Sequence, residues 1–288
     1  MNSIQTSVAA SKKVWFVTGT SQGLGAELVR QILARGDSVA ATSRAAAKLA
    51  PLFPGDFGGR LLPLSLDLGN AAGISDAVGK TLARFGRIDI LVNNAGYGLL
   101  GAVEEGSDDD IRKMFEVNVH GLLRVTREIL PHLRERRSGQ VVNLSSMSGL
   151  AGVAGFGLYC ASKFAVEGLS EAMAQELAPL GIRVTIVEPG PFRTEFLSGS
   201  LGVSERIIED YAATSGKARA GRAGRIGRQP GDPVKGVEAI IKAVTSANPP
   251  LHLVLGAMAM EHANVKLTAL KNDMETWKEL SLSTGFDS

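Results

Sequence analysis

The stretch that decides the fold is "VWFVTGTSQGLG", Val14–Gly25. A short apolar run, Val14–Thr18, leads directly into a turn that contains Gly19, Gly23 and Gly25, with a helix-length segment behind it. A strand that passes through a glycine-rich turn into a helix presents backbone N–H groups at the positive end of the helix dipole, where a pyrophosphate can bind. The spacing is Gly-x-x-x-Gly-x-Gly, and in this position it predicts a nucleotide site at the first turn of an α/β fold.

Short apolar runs alternate with helix-length segments along the rest of the chain. The predicted strands are Val14–Thr18, Ser38–Thr42, Leu61–Leu66, Ile88–Asn93, Gln140–Ser145, Arg183–Pro189 and Leu251–Gly256. The predicted helices are Gly23–Arg35, Ala71–Arg84, Ser107–Arg136 and Leu158–Leu180. Continuous hydrophobicity is typical of strands that are covered on both faces. The alternation therefore predicts a Rossmann-type, doubly wound α/β fold whose mostly parallel, seven-stranded sheet has helices on both faces.

One segment, residues 190–233 (the lid), departs from this alternation. We interpret residues 13–288 as a single domain with the lid as an insertion, preceded by a disordered lead-in at 1–12. The lid lacks a clear strand and interleaves glycines with five cations, Lys217, Arg219, Arg222, Arg225 and Arg228. Such a segment is either a basic loop that attracts an anionic substrate or nucleic acid, or a mobile, solvated cover. No aromatic residues that could stack on bases are interleaved with the cations, which favours the mobile, solvated cover over a nucleic-acid-binding loop.

Composition limits the possible partners. The chain has 288 residues, 44% hydrophobic and 21% charged, with a formal net charge of +2, so no nucleic-acid or membrane partner is indicated. A single cysteine, Cys160, excludes an intramolecular disulfide and favours a cytoplasmic protein. No signal-peptide pattern and no apolar run of about 20 residues is present. We expect no metal site, since no metal-ligand spacing links the histidines His120, His132, His252 and His262.

The end of the second strand indicates which dinucleotide is bound. In NAD sites an acidic residue near this point bonds the ribose hydroxyls. Here the strand ends in Thr42, Ser43 and Arg44, without a carboxylate. Because an arginine can pair with a 2′-phosphate through a bidentate contact, we expect NADP(H) to be preferred and NAD(H) to be possible. The alternative is a surface arginine that has no part in binding.

Five further motifs follow in a fixed order: "NNAG" (Asn93–Gly96), "NVHG" (Asn118–Gly121), "NLSS" (Asn143–Ser146), "YCASK" (Tyr159–Lys163) and "PGPFRT" (Pro189–Thr194). Together with the glycine-rich turn, they resemble the short-chain dehydrogenase/reductase family over about residues 13–195. The resemblance implies that Tyr159 is the general acid/base and that Lys163 favours its ionised form and binds the nicotinamide ribose. It also implies that Ser146 bonds the substrate oxygen. Asn118 resembles the residue that interrupts the long helix and holds a water in the proton relay to Lys163.

The resemblance also implies a set of cofactor contacts. Among them, Asp67 would bond the adenine amino group and Thr194 the nicotinamide carboxamide. The full set is Gly19, Ser21, Gly23, Leu24, Gly25, Arg44, Asp67, Asn94, Ala95, Gly96, Tyr159, Lys163, Pro189, Gly190 and Thr194. Members of the family are usually dimers or tetramers, which predicts a homodimer or homotetramer. The amphipathic segment 257–280 would cover the sheet edge or join such an interface.

The implied reaction is hydride transfer between the nicotinamide C4 and a small-molecule carbonyl compound or secondary alcohol. Within the family, the alternatives are an NAD-preferring alcohol dehydrogenase, an epimerase or a dehydratase. A non-catalytic dinucleotide-sensing regulator is a different class, and it would be expected to lack Tyr159, Lys163 or Ser146. A methyltransferase would also use a glycine-rich α/β site, but it would not need these three side chains.

Overall fold

The computed structural model describes residues 12–286, so the predicted disordered lead-in lies outside the described residues except for Lys12. The strands are β1 Val14–Val17, β2 Ser38–Ser43, β3 Leu61–Ser65, β4 Ile90–Asn93, β5 Gly98–Leu100, β6 Gly139–Leu144, β7 Ile182–Pro189, β8 Leu201–Val203 and β9 His252–Leu255. Seven of them form one sheet in the order β3-β2-β1-β4-β6-β7-β9. Every neighbouring pair in this sheet is parallel. The predicted doubly wound, seven-stranded sheet is confirmed.

Helices cover both faces of this sheet. They are α1 Gly23–Ala34, α2 Ala71–Phe85, α3 Asp108–Phe115, α4 Leu122–Arg136, α5 Met147–Leu150, α6 Gly157–Leu177, α7 Phe196–Gly199, α8 Lys217–Ala220, α9 Arg222–Arg225, α10 Pro233–Val244, α11 Ala257–Thr276 and α12 Lys278–Leu282. In β1, Trp15 and Val17 join the core beneath α1 and α10, whereas Phe16 joins the core beneath α2 and α4. Burying each such side chain contributes roughly 1.5–3 kcal/mol, which explains why the strand is apolar at every position.

The helix predicted at Ser107–Arg136 is interrupted. Ser107 caps α3, and its hydroxyl accepts a hydrogen bond from the N–H of Asp110 at 3.1 Å. A π-helical turn, Glu116–Gly121, then separates α3 from α4 and carries the buried Asn118. The interruption at Asn118 that the family resemblance implied is confirmed. Apolar periodicity alone does not register it, because a π turn adds only about one residue to a helical turn.

The lid is more regular than the sequence indicates. β8 lies within it and pairs in parallel with β5, while α7, α8 and α9 are single turns. The prediction that this segment lacks a strand is therefore wrong. Elements of three or four residues are too short to produce a periodic pattern, and the partner of β8 lies far upstream in the chain.

Glu105 fastens the lid to the rest of the protein. Its buried carboxylate accepts hydrogen bonds from the N–H groups of Ala102 (2.7 Å) and Ile208 (3.0 Å) and from the Ser215 hydroxyl (3.2 Å). The Arg219 guanidinium donates through Nη2 to Oε1 at 3.0 Å and through Nη1 to Oε2. The hydrogen bond from Arg219 lowers the pKa of Glu105 to about 2. The expectation of a solvated basic lid is wrong at Arg219, whose charge is paired inside the protein.

The winding of the sheet reverses between β1 and β4, and the carboxyl ends of these strands border a crevice in which such folds bind ligands. Asn94, directly after β4, closes one side of it. Its Nδ2 donates to the carbonyl oxygens of Thr18 at 2.9 Å and Gly19 at 2.8 Å. The glycine-rich turn and the "NNAG" motif therefore meet at this crevice.

The long helix α11, the last but one of the described helices, packs little against the domain. Among its residues only Ala259 is buried, while Val265, Leu267 and Met274 are exposed. Packing on the sheet therefore does not explain its amphipathic sequence, and a subunit interface stays a prediction. Among the helices of the described range 12–286, none has the length and apolar character that a membrane span requires.

Candidate active site

The turn between β1 and α1 has the backbone geometry that an approaching pyrophosphate needs. Gly19 and Gly23 have φ angles of 69° and 57°, in the left-handed region that favours glycine. A Cβ on Gly19 would lie 2.8 Å from the Cα of Ala95. A Cβ on Gly25 would lie 2.3 Å from the Gly19 carbonyl oxygen and 2.4 Å from Asn94 Nδ2. These glycines let the chain turn tightly and let α1 pack closely against the crevice.

An acidic side chain occupies the N-terminus of α1. Glu195, in the lid, accepts a hydrogen bond from the N–H of Gly23 at 3.2 Å. The helix has no side-chain cap and no acidic residue in its own first turn. A carboxylate bound here indicates that these N–H groups are suited to an anion. The turn also carries two other predicted contacts, the exposed Ser21 and the half-buried Leu24.

Arg44 follows β2 directly, and its side chain is exposed. The preceding Ser43 closes the turn, since its hydroxyl accepts from the N–H of Ala45 at 3.2 Å. Asp67, after the adjacent β3, accepts from the N–H two residues further on at 3.0 Å. Asp37 lies just before β2, at the opposite end of the sheet from the crevice. Arg44 therefore makes the rim at the end of β2 itself cationic, while the carboxylate of Asp67 lies at the end of the adjacent β3.

Ser146, Tyr159 and Lys163 come together beyond the carboxyl end of β6. Burial raises the pKa of Tyr159 to about 12, and the adjacent Ser146 hydroxyl opposes this shift. Burial lowers the pKa of Lys163 to about 8. Its Nζ donates to the Leu144 carbonyl at 2.6 Å and lies 5.9 Å from the centroid of the Tyr159 ring. The Ser146 hydroxyl also accepts from the N–H of Ser148 at 3.1 Å. At neutral pH the phenol therefore keeps its proton.

Asn118 joins the π turn to the crevice. Its Oδ1 accepts from the N–H of Tyr97 at 3.0 Å, and its Nδ2 donates to the Tyr97 carbonyl at 2.9 Å and the Ser162 hydroxyl at 3.1 Å. A Cβ on Gly96 would lie 3.2 Å from Asn118 Oδ1 and 3.6 Å from Lys163 Nζ. The π turn, the "NNAG" motif and α6 therefore converge at Gly96.

The "PGPFRT" motif reaches from the sheet edge to the glycine-rich turn. β7 ends at Pro189, and the N–H of Gly190 donates to the carbonyl of Leu255 at 2.9 Å. At the other end of the motif, Thr194 lies across the crevice, where a Cβ on Gly23 would be 3.5 Å from the Thr194 Cβ. The motif thus runs from the end of β7, where Gly190 bonds β9, to the glycine-rich turn.

Apolar side chains around Tyr159 were not identified from the sequence. The ring of Phe196, in α7, lies 5.8 Å from the Tyr159 ring, and Leu99, in β5, belongs to the same cluster. A Cβ on Gly98 would lie 3.6 Å from Tyr159 Cδ2 and 2.8 Å from the Leu201 side chain. Phe196 could have been suspected because it follows "PGPFRT" by two residues. Leu99 and Leu201 lie in the three-residue strands β5 and β8, and no sequence motif marks either residue as a neighbour of the active site.

Comparison with known proteins agrees with this geometry. Residues 13–201 match the family model described as short chain dehydrogenase. The chain belongs to the short-chain dehydrogenase family. It is 36% identical over 272 residues to the oxidoreductase BOA17 of Botryotinia fuckeliana, covering 94% of this chain and 99% of that protein. It is 33% identical over 249 residues to a 3-ketodihydrosphingosine reductase of Bacteroides thetaiotaomicron, covering 85% of this chain and 88% of that protein.

Solved structures give the same result. A short-chain dehydrogenase from Streptomyces avermitilis matches with a TM-score of 0.88 at 41% identity, covering 96% of this chain and 100% of that one. A Burkholderia cenocepacia short-chain dehydrogenase in complex with NADP matches with a TM-score of 0.71 at 26% identity, covering 92% and 97%. As a short-chain dehydrogenase, the protein is an NAD(P)-dependent oxidoreductase that acts on CH–OH or C=O groups.

Proposed function

We propose that the protein is an NADP(H)-dependent carbonyl reductase in which Tyr159 protonates the substrate oxygen. The observation that carries the proposal is the convergence of Tyr159, Lys163 and Ser146 at the crevice, with a buried phenol whose pKa is raised to about 12. At neutral pH the phenol carries the proton that a reduction requires, and the nearby Lys163 ammonium and a cationic oxidised nicotinamide would lower its pKa towards the range in which an acid is most effective.

The crevice suits a bound dinucleotide. A Cβ on Gly19 or Gly25 would fill the space against Ala95 and Asn94, and the N–H of Gly23 already holds a carboxylate oxygen. These features support a pyrophosphate at the N-terminus of α1, with Ser21 and Leu24 beside it. The adenosine half would contact Asp67, Asn94, Ala95 and Gly96, and the nicotinamide half would contact Pro189, Gly190 and Thr194. When bound, the dinucleotide supplies or accepts the hydride.

The preference for NADP(H) rests on Arg44 at the cationic rim. A charge-assisted, bidentate bond to a 2′-phosphate is worth about 1.5–3 kcal/mol, so Arg44→Asp should weaken NADPH binding about 10- to 100-fold and leave NADH binding unchanged or tighter. Lys48→Asp, an equal charge change at an exposed position four residues on, is the control. Tighter binding of NADH than NADPH by the wild type would instead favour the NAD-preferring alternative.

The acid/base role is tested with Tyr159→Phe. Removing the hydroxyl should lower kcat by about 10²- to 10⁴-fold, since this is the usual contribution of a positioned acid. NADPH affinity should stay within about threefold, because Phe retains the apolar ring. Undiminished turnover in Tyr159→Phe would contradict the assignment of Tyr159 as the general acid/base. A wild type that binds NADPH but reduces no carbonyl compound would favour a dinucleotide-sensing regulator.

The substrate that the site suits best is an apolar ketone. Phe196 and Leu99 pack in one apolar cluster with Tyr159, and the Bacteroides relative is named a 3-ketodihydrosphingosine reductase. A panel that compares long-chain and polycyclic ketones with small polar ones tests this class, and faster reduction of the polar ones would contradict it.

The domain organisation and the assembly state are part of the same proposal. Residues 13–288 act as one domain in a cytoplasmic homodimer or homotetramer. One cooperative unfolding transition and a multiple of the chain mass in sedimentation are the expected results.

A further inference from the structure

A second cluster of polar side chains lies outside the dinucleotide crevice. It consists of Glu167 on α6, Glu188 on β7 and His252 at the start of β9. One ligand atom from each residue lies within 4.8 Å of the others. The three meet because α6 packs over β7 and because β9 pairs with β7. The spacing argument that predicted no metal site could not register this cluster, because its members are far apart in sequence.

Both carboxylates of the cluster are buried, yet their oxygens are incompletely bonded. Glu188 is 0% exposed and Glu167 is 5% exposed. Oε1 of Glu188 lies 2.7 Å from His252 Nδ1, but Oε2 of Glu188 and both oxygens of Glu167 have no hydrogen-bond partner. Glu188 has His252 as a side-chain donor, and the Ser145 hydroxyl lies beside Glu167. Buried carboxylates with so few donors are costly and call for an explanation. A cation between them would provide one.

We propose that Glu167, Glu188 and His252 bind a divalent transition-metal ion of the zinc class. An imidazole together with carboxylates suits Zn²⁺, whereas Mg²⁺ prefers oxygen ligands alone. With bonds of about 2.0–2.2 Å, tetrahedral ligand atoms lie about 3.3 Å apart. His252 Nδ1 lies 2.7 Å from Glu188 Oε1 and 3.9 Å from Glu167 Oε2. Because all three ligand atoms lie within 4.8 Å of one another, no separation would have to change by more than about 1.5 Å to close the site.

The surroundings of His252 also suit a metal ligand. Its other ring nitrogen, Nε2, lies 3.9 Å from Glu171 Oε1. Metal-binding histidines usually donate this second N–H to a carboxylate, which orients the ring. The side chains of His252 and Glu171 are 41% and 53% exposed, which leaves a path for an ion from solvent. At 3.9 Å the two groups form an ion-pair contact and not a hydrogen bond, so Glu171 would act as a positioning residue once the ring moves towards it on metal binding. The ion itself would be held by Glu167, Glu188 and His252.

The bound ion would join the edge strand β9 to the helix that carries the catalytic candidates. Glu167 lies one helical turn after Lys163. Ser145 lies on the other side of Glu167, and both side chains face Gly149. A Cβ on Gly149 would lie 2.4 Å from Ser145 Oγ and 2.7 Å from Glu167 Oε1. The Ser145 hydroxyl therefore faces this cluster, unlike that of Ser146. The ion would act as a structural clamp behind the active site, a role that does not depend on the proposed function.

Titration of the full-length, tag-free, chelator-treated protein with Zn²⁺ tests the proposal by calorimetry and by thermal unfolding. We expect one Zn²⁺ per chain and an unfolding midpoint that rises with Zn²⁺ concentration, with Mg²⁺ inactive. Co²⁺ should give the visible absorption of a low-symmetry site. His252→Asn and Glu167→Gln should each weaken Zn²⁺ binding by about 100-fold, and Glu171→Gln by about tenfold. His120→Asn, at another exposed histidine, should change nothing.

Three results would overturn the proposal. They are the absence of stoichiometric Zn²⁺ binding, equal binding of Mg²⁺, and Zn²⁺ affinity that survives both His252→Asn and Glu167→Gln. Glu167→Gln preserves the shape of a buried side chain, and unchanged dinucleotide binding would show that it folds. Should it fail to fold, His252→Asn carries the test alone, because that side chain is half-exposed.

Discussion

Replacing Glu105 with glutamine should release the lid. The change leaves the Arg219 guanidinium, whose side chain is 14% exposed, without its counter-charge. It also leaves one acceptor oxygen to serve the N–H groups of Ala102 and Ile208, which bond separate oxygens in the wild type. Breaking a buried ion pair by removing one partner costs about 3–5 kcal/mol. Because glutamine keeps part of the hydrogen bonding, we expect the lower end, about 3 kcal/mol.

A loss of about 3 kcal/mol raises the population of the open lid by about 100-fold, since each 1.4 kcal/mol is a factor of ten. The lid contains Lys217, Arg222 and Arg225, so trypsin reports its opening. When closing is faster than cleavage, the cleavage rate follows the open population. Tryptic cleavage within the lid should therefore be about 100-fold faster in Glu105→Gln.

The neighbouring Glu104 offers a matched control. It also contacts the lid, through the Tyr211 hydroxyl at 2.8 Å and through Arg206, but its side chain is 57% exposed. Exposed pairs contribute little, so Glu104→Gln should accelerate cleavage by less than about fivefold. Equal cleavage rates in Glu104→Gln and Glu105→Gln would refute the reasoning about the buried anchor.

Acid should open the same anchor in the wild type. The fold lowers the pKa of Glu105 to about 2, so it favours the ionised form. The stabilisation is complete above the ordinary glutamate pKa of about 4.3 and is lost as the pH falls from there through about 2. Relative to an unprotected amide at the same pH, hydrogen exchange at the Ile208 amide should accelerate over this interval in the wild type. The acceleration should be absent in Glu105→Gln, and its persistence there would assign it to another group.

Three further predictions concern the crevice. Glu195→Gln removes the carboxylate that competes for the Gly23 N–H, so NADPH should bind about three- to tenfold tighter in a fluorescence titration, and weaker binding would contradict the idea. Burial lowers the pKa of Lys163 to about 8. The kcat for reduction should therefore be flat from about pH 6 to 7.5 and decline above about pH 8, where the ammonium deprotonates. A profile that stays flat to about pH 10 would show that catalysis does not need the Lys163 ammonium. Gly25→Ala places a Cβ 2.3 Å from a backbone oxygen and should weaken NADPH binding about 5- to 100-fold. In the control Gly168→Ala, the added Cβ meets no atom within 4 Å, so the change should stabilise α6 by about 0.5–1 kcal/mol without affecting NADPH binding.

Sequence reasoning succeeded wherever the signal is local. Strands covered on both faces are apolar at every position, so all seven strands of the main sheet could be located. The glycines at 19 and 23 are needed for their own positive φ angles, and a local motif captures that need. Tyr159 and Lys163 share a helix face because of their four-residue spacing, which the sequence displays directly. The structure brings these two residues together with Ser146.

The sequence by itself determined the α/β fold, the position of the dinucleotide turn and the candidates for proton transfer, because each depends on residues that are close in the chain. Only the tertiary structure decided the rest. Three contacts join residues that lie on different elements: the hydrogen bonds of Asn118 to Tyr97 and Ser162, the ion pair of Arg219 with Glu105, and the meeting of His252 with Glu188. Such contacts depend on how strands and helices pack, and packing aligns side chains that no spacing along the chain connects.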